Sequence, residues 1–302
     1  MANLRAQFQR LFFPGLREYL FLGYKEKPTQ YSAMLNVMDS SSAFEEDFTS
    51  AGVGLFVRND EEVETAEDRF VPGLSIRYDN VDYALRMGFS HQFIRDAKYN
   101  IWKDRSRDMG FSARQTQEIL VADLYNNGFS VNGFDGVPLF SASHPIIRGG
   151  GSGGQVQSNL LTNASTVSVI AVRAMLVQFR KFYDQTGVRR ISLTPRWLWH
   201  PPDIEWDVLE ILKSAGRPDT ANRADNVIRN KLEPFTWDYL TNVKYWGINC
   251  EKSETKIKVY MREKFNVTEF EEEKARMEWV QAAISFCRGY SDYIGTVGTN
   301  PS

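Results

Sequence analysis

From Val81 to Phe89 the apolar side chains Val81, Tyr83, Leu85, Met87 and Phe89 occupy every second position, with Asp82, Ala84, Arg86, Gly88 and Ser90 around them. That period is the mark of a half-buried strand. A shorter alternation, Val53, Leu55 and Val57 against Gly54, Phe56 and Arg58, predicts a second strand upstream. Between the two lies NDEEVETAEDRF, where Asp60, Glu61, Glu62, Glu64, Glu67 and Asp68 crowd together and repel one another into an extended, solvated path. The pattern reads as a long hairpin with an acidic tip; an ordinary solvated loop is the plainer alternative.

The period then changes. From about Gln92 to Asn127, Ile101, Trp102, Met109, Phe111, Ile119, Leu120 and Leu124 are separated by polar residues, predicting a helix long for a globular domain. Gly110 falls inside it and predicts a bend or break, because Gly is about 1 kcal/mol less favourable than Ala there. Asn126, Asn127 and Gly128 supply the stop. DGVPLFSASHPIIRGGGSGGQVQSN follows, an apolar strand end running into a glycine loop. Ser165 is expected to cap a helix running to about Gln185, with Gly187 as its terminator. PRWLWHPP reads as a buried strand closed by Pro201 and Pro202, with a short helix from Asp203. Strands are expected around PFTWDYL, KYWGIN, KIKVYMREK and EWVQAAISFCRGY, and the cluster Glu269, Glu271, Glu272 and Glu273 as a solvated turn. Residues 1 to about 50 mix apolar patches with polar breaks and read as an arm of short pieces. Without a regular βαβ repeat, the class is α+β.

Composition narrows the function. The 302 residues, 42% hydrophobic and 25% charged, suffice for a substantial core, and a net charge of -2 lacks the basic balance of a general nucleic-acid binder. Aromatics at 13% are generous and compatible with extensive subunit contacts. Cys250 and Cys287 are the only cysteines, read as buried small hydrophobes in a reducing compartment. No secretory signal or membrane span is expected.

The candidate chemistry is thin. Ser141, Ser143 and His144 adjoin, but sequence neighbours rarely achieve triad geometry and no G-x-S-x-G elbow accompanies them. His91, His144 and His200 are the whole histidine supply and show no metal-ligand spacing. GGGSGG has no following Gly-Lys-Ser/Thr, so it is a phosphate loop in composition only. The expectation is no catalytic residue, no metal and no cofactor.

The motif order resembles the major capsid proteins of tailed bacteriophages, particularly phage-Mu-like major head subunits. The likeness rests on GLREY, the hairpin, the spine-like helix, the DG-x-x-LFS-x-x-HP stretch with its glycine turn ending in SN, RWLWHPPDIEWDVLEIL and RGYSDYIGTVG. It implies the Hong Kong-type capsid fold: an N-terminal arm (1–50), an extended hairpin loop (51–91), a peripheral domain with spine helix and glycine loop (92–189), an axial domain (190–249), and return strands of the peripheral domain with the C-terminus (250–302).

It also implies self-assembly into hexamers and pentamers of a virion shell enclosing double-stranded DNA, with portal, scaffold and decoration proteins as partners and assembly in the bacterial cytoplasm. The loop bearing Thr220, Asn222, Arg223, Asp225 and Asn226 would approach the capsomer centre. Charge complementarity, rather than the resemblance, suggests that the acidic tip docks near Lys98, Lys103, Arg105 and Arg107 of a neighbour's long helix. The stretch from Arg58 to Gly73 contains no lysine, which speaks against the hairpin-lysine cross-link of some members. Any scaffold segment would be separate or already removed. An encapsulin-like compartment is the rival of the same fold, and a Ser/His hydrolase the distant one.

Overall fold

The computed structural model describes residues 2–49, 52–60, 64–65, 67–68, 73–90, 92, 99–147, 155–216, 225–272 and 277–301. The described N-terminal residues open with one long helix where short pieces are expected. Helix α1 (Ala2–Lys25) is one run of 24 residues with Pro14 inside it, followed by α2 (Tyr31–Met34). The segment lies on its own chain's long helix, α3 (Tyr99–Asn126), with Leu16, Leu20, Tyr31, Met34 and Leu35 buried.

Helix α3 does not break at Gly110. A Cβ there would stand 2.0 Å from the Leu20 carbonyl oxygen, and one at Gly23 would stand 2.0 Å from that of Arg107. Each glycine thus lies where the two backbones cross, and close approach is the reason for it. The inward stripe of α3, Trp102, Ser106, Met109, the partly buried Ala113, Gln117, Val121 and Tyr125, recurs every three or four residues and faces the core.

The first sheet has the order β1-β10-β11-β4, formed by Asn36–Asp39, Ile257–Glu272, Met277–Tyr290 and Val81–Ser90. Strand β1 runs parallel to β10, and the other pairings are antiparallel. Val280, Ala282, Ile284 and Phe286 alternate along β11 into the core shared with α1 and α3. Glu269 and Glu272 sit within β10, opposite Val280 and Met277, and not in a turn. Glu271 also falls within β10, opposite Glu278, and Glu273 lies outside the described residues.

The expected hairpin is rebuilt. Strand β4 pairs with β11, and residues 52–60 join no ladder. The ladder at the loop's base is β2 (Phe44–Phe48) with β3 (Ser75–Asp79), in register from Phe44 opposite Asp79 to Phe48 opposite Ser75. Alternation identified extended backbone but carried no information on the partner.

The second sheet has the order β12-β9-β7-β8, formed by Thr296–Thr299, Trp246–Cys250, Pro195–His200 and Glu233–Thr236. Trp199 on one face and Trp237 just beyond β8 meet Tyr125 of α3, and Phe235 packs against Trp237. On the other face Leu198, Trp246 and Ile248 pack with α4 (Val169–Arg180) and α5 (Glu205–Lys213). Two short strands, β5 (His144–Pro145) and β6 (Val156–Gln157), complete the set.

Helix α4 is shorter than expected at both ends. Its cap is Ser168, whose hydroxyl accepts from Ala171 N at 3.2 Å, whereas the carbonyl of Ser165 accepts from Trp246 Nε1. The helix ends at Arg180, and Gly187, with φ 70°, sits in the tight turn from Asp184 to Arg189. The cores do not divide at residues 190 and 250: α4 and the C-terminal Tyr293, Ile294 and Val297 share a core with the 195–250 sheet.

Candidate assembly surfaces

The DG…HP…SN stretch builds a buried clasp. His144 Nδ1 lies 2.6 Å from Asp135 Oδ2, with the two side chains 0% and 4% exposed. Its Nε2 faces the Leu139 carbonyl and Asn159 Oδ1 at 3.2 and 3.1 Å. Asn159 Nδ2 donates to that same carbonyl and its Oδ1 accepts from Ser141 N, so the amide is locked. The imidazole stacks on Tyr293, with ring centroids 3.8 Å apart. Both ring nitrogens are engaged, and the serine hydroxyls of Ser141 and Ser143 face one another. A Ser-His nucleophile pair is therefore not assembled; Asp135, His144 and Asn159 close the turn between α3 and α4. Sequence reading carried these residues only as parts of the DG…HP…SN stretch and missed that they bond, because His144 meets one partner 9 positions before it and another 15 positions after it.

A second tie fixes the base of the loop between β2 and β3. Asp47 receives Lys258 Nζ at 2.8 Å, and Tyr260 Oη donates to it more weakly at 3.3 Å. Thr49 Oγ1 donates to the buried Ser291 carbonyl at 2.6 Å. Beyond this root, Val53, Leu55, Phe56 and Val57 are exposed. Of the acidic candidates, Asp60 pairs with Arg58 at 2.8 Å, Asp68 accepts from Gly54 N, and Glu64 and Glu67 are exposed; Glu61 and Glu62 lie outside the described residues.

The basic candidates on α3 are partly engaged within the chain. Arg107 holds Glu26 through two hydrogen bonds of 2.9 Å, and that contact lowers the Glu26 carboxyl below its usual range. Lys103 lies over the Tyr19 ring at 5.4 Å, Arg105 is exposed, and Lys98 lies outside the described residues. Of the capsomer-centre candidates, Thr220, Asn222 and Arg223 also lie outside. Asp225 is exposed and bridges Gly216. Asn226 points inward: its amide donates to the Ile211 carbonyl at 2.6 Å and its Oδ1 accepts from Ile228 N, capping the end of α5. It shapes the root of that loop and does not face its tip.

Perturbed groups belong to packing. Burial pushes the Cys250 and Cys287 thiols up to about 12 and about 11, and it raises the carboxyls of Glu118 and Asp292. Glu118, on α3, accepts from Gln30 N and so ties the end of the N-terminal segment to the spine; Gln30 Nε2 also reaches Asp238 at 2.7 Å. Among the described residues no helix is long and apolar enough to cross a membrane.

A long helix and a long two-stranded ribbon share one core, a second sheet carries two outer helices, and a pinned loop holds unpacked apolar residues. The solved structures agree in fold. The chain is similar to Mycobacterium phage Patience, with TM-score 0.56, 11% identity, 98% of this chain and 88% of that one covered. It is similar to the bacteriophage JBD30 procapsid, with TM-score 0.55, 13% identity and coverage of 98% and 76%. A virus-like particle from Pyrococcus furiosus gives TM-score 0.54, 9% identity and coverage of 96% and 99%. No curated protein matches the sequence. The family model for phage capsid protein matches residues 74–285, and the chain belongs to that family. Its place is the virion capsid, where it self-assembles.

Proposed function

We propose that this phage capsid protein is the major head subunit, forming hexamers and pentamers of an icosahedral shell around double-stranded DNA. In this reading the first sheet with α1 and α3 is the peripheral part of the capsomer. The second sheet with α4 and α5 is the axial part, with Asp225 on the side of the capsomer centre. The observation that carries it is the run Val53, Leu55, Phe56 and Val57, exposed on a loop whose root is fixed at Asp47 and Thr49. A fixed root with an unpacked apolar tip calls for a second copy to bury it.

The acidic residues of that loop would add steering. An exposed ion pair contributes about 0–1 kcal/mol, multiplied by repetition around the shell. With Arg107 held by Glu26, Lys103 and Arg105 are the described candidates to receive it. Portal, scaffold and decoration proteins would complete the particle in the host cytoplasm.

The test is to express the chain alone and with the neighbouring head proteins, then measure particle mass and contents by sedimentation and negative-stain microscopy. Closed shells that retain DNA are expected. A chain that remains monomeric in both settings refutes the reading, and shells that enclose a protein cargo instead of DNA favour the compartment alternative. Changing Glu61, Glu62 and Glu64 to Lys should lower shell yield; undiminished yield and salt resistance would remove the steering role.

A further inference from the structure

Helices α4 and α5 lie on the same face of the second sheet but at opposite flanks: α4 covers β12 and β9, and α5 covers β8. Their outward faces differ in kind. On α4, Ile170, Arg173, Ala174, Val177 and Lys181 fall at helical spacing, with Ile170 68% and Val177 52% exposed. They line a groove of about 1270 Å³ between α4 and the Val156 strand, whose lining includes two basic side chains, Arg173 and Lys181, and no acidic one. On the far flank, Trp206 is 78% exposed on α5; Glu210 and Asp203, just before the helix, share its face, exposed Asp207 lies beside them, and Lys213 stands two turns on from Trp206. Among the described residues, no ion pair engages Arg173, Lys181, Asp203, Asp207 or Glu210.

We propose that Trp206 of one subunit inserts into the α4 groove of the next, with Asp207 and Glu210 meeting Arg173 and Lys181. The occupant is a second copy of this chain. The argument is complementarity: a rim of three carboxylates and one lysine, Lys213, around a large aromatic on one flank, and a basic rim around an apolar groove on the other. Two different patches at opposite flanks make a head-to-tail contact, which closes into a ring when the rotation permits. A desolvated Trp ringed by polar contacts is also the typical anchor of a protein interface. This contact rests on the shell reading and specifies one surface by which neighbours around a capsomer would join.

The experiment places Trp206→Cys and Val177→Cys together in one chain; the native Cys250 and Cys287 are buried. Particles treated with a short bismaleimide should give a denaturing-gel ladder ending at the ring size, and either single variant should give none. Dimers from Trp206→Cys alone would mean a symmetric contact and overturn the proposal. Intact particles without cross-links would overturn it while leaving the shell reading in place. A wild-type chain that never assembles, even with its neighbouring head proteins, overturns both. In parallel, Asp207→Lys with Glu210→Lys should cut particle yield about tenfold or more, and adding Arg173→Glu with Lys181→Glu should restore it. Unchanged yield in the first variant would count against the pairing.

Discussion

Replacing Gly110 by Ala should destabilise the docking of α1, reversing the usual effect of that change. In an isolated helix interior the substitution is worth about 0.8–1 kcal/mol in favour of Ala. Here the new Cβ would stand 2.0 Å from the Leu20 carbonyl oxygen and 2.8 Å from Tyr24 N, inside the 3.0 Å limit of real Cβ contacts. Both obstacles are backbone, so the helices must separate, and such overpacking costs about 1–3 kcal/mol. Separation also loosens the buried Leu16 and Leu20 and the stack of Tyr24 on Phe265 at 4.4 Å. Full burial of each leucine stabilises by about 1.5–3 kcal/mol and the stack by about 0.5–1.5. A partial loss leaves a net destabilisation of about 2 kcal/mol, or roughly 30-fold in the opening equilibrium at 1.36 kcal/mol per decade. Amide hydrogen exchange over residues 16–25 reads this directly. Gly15 is the control, because nothing lies within 4 Å of its Cβ position and Ala there should bring only the helical gain. If Gly110→Ala raised stability as Gly15→Ala does, with protection of 16–25 unchanged, the crossing-point argument would be refuted.

His144→Ala should lower stability by about 1–3 kcal/mol, since it leaves the buried Asp135 side chain without its hydrogen-bond partner; an unshifted chemical denaturation curve would contradict the clasp. Glu118→Gln tests the spine's buried carboxyl. Burial raises its folded pKa above the ordinary 4.5, so the neutral acid stabilises the wild type fully below that value, and this contribution is lost as pH rises through the raised one. The variant keeps an acceptor for Gln30 N at every pH. It should therefore match the wild type in melting temperature below the ordinary carboxyl value of 4.5 and gain over it as pH rises past that value; a difference independent of pH would reject the assignment.

What the sequence determined by itself was the local periodicity. The 3.6-residue stripe of α3 and the alternation along β4, β10 and β11 each follow from which side chains avoid water on one short element. That physics is contained within the element. The ordered motifs from GLREY to RGYSDYIGTVG carried the family as well. What only the tertiary structure decided was which element lies against which. Alternation at 53–57 and 81–89 could not say that β4 pairs with β11 and that β2 and β3 close the loop. A glycine inside α3 reads as a break until a second helix is seen crossing it. Asp135, His144 and Asn159 were visible as isolated polar residues in a glycine-rich stretch, but their bonds depend on a turn brought back on itself by the α3 and Tyr293 packing. The two flanks bearing Trp206 and Ile170 acquire meaning only when one sheet sets them apart. These are long-range pairings selected by burial of whole faces, and no window of sequence contains both partners.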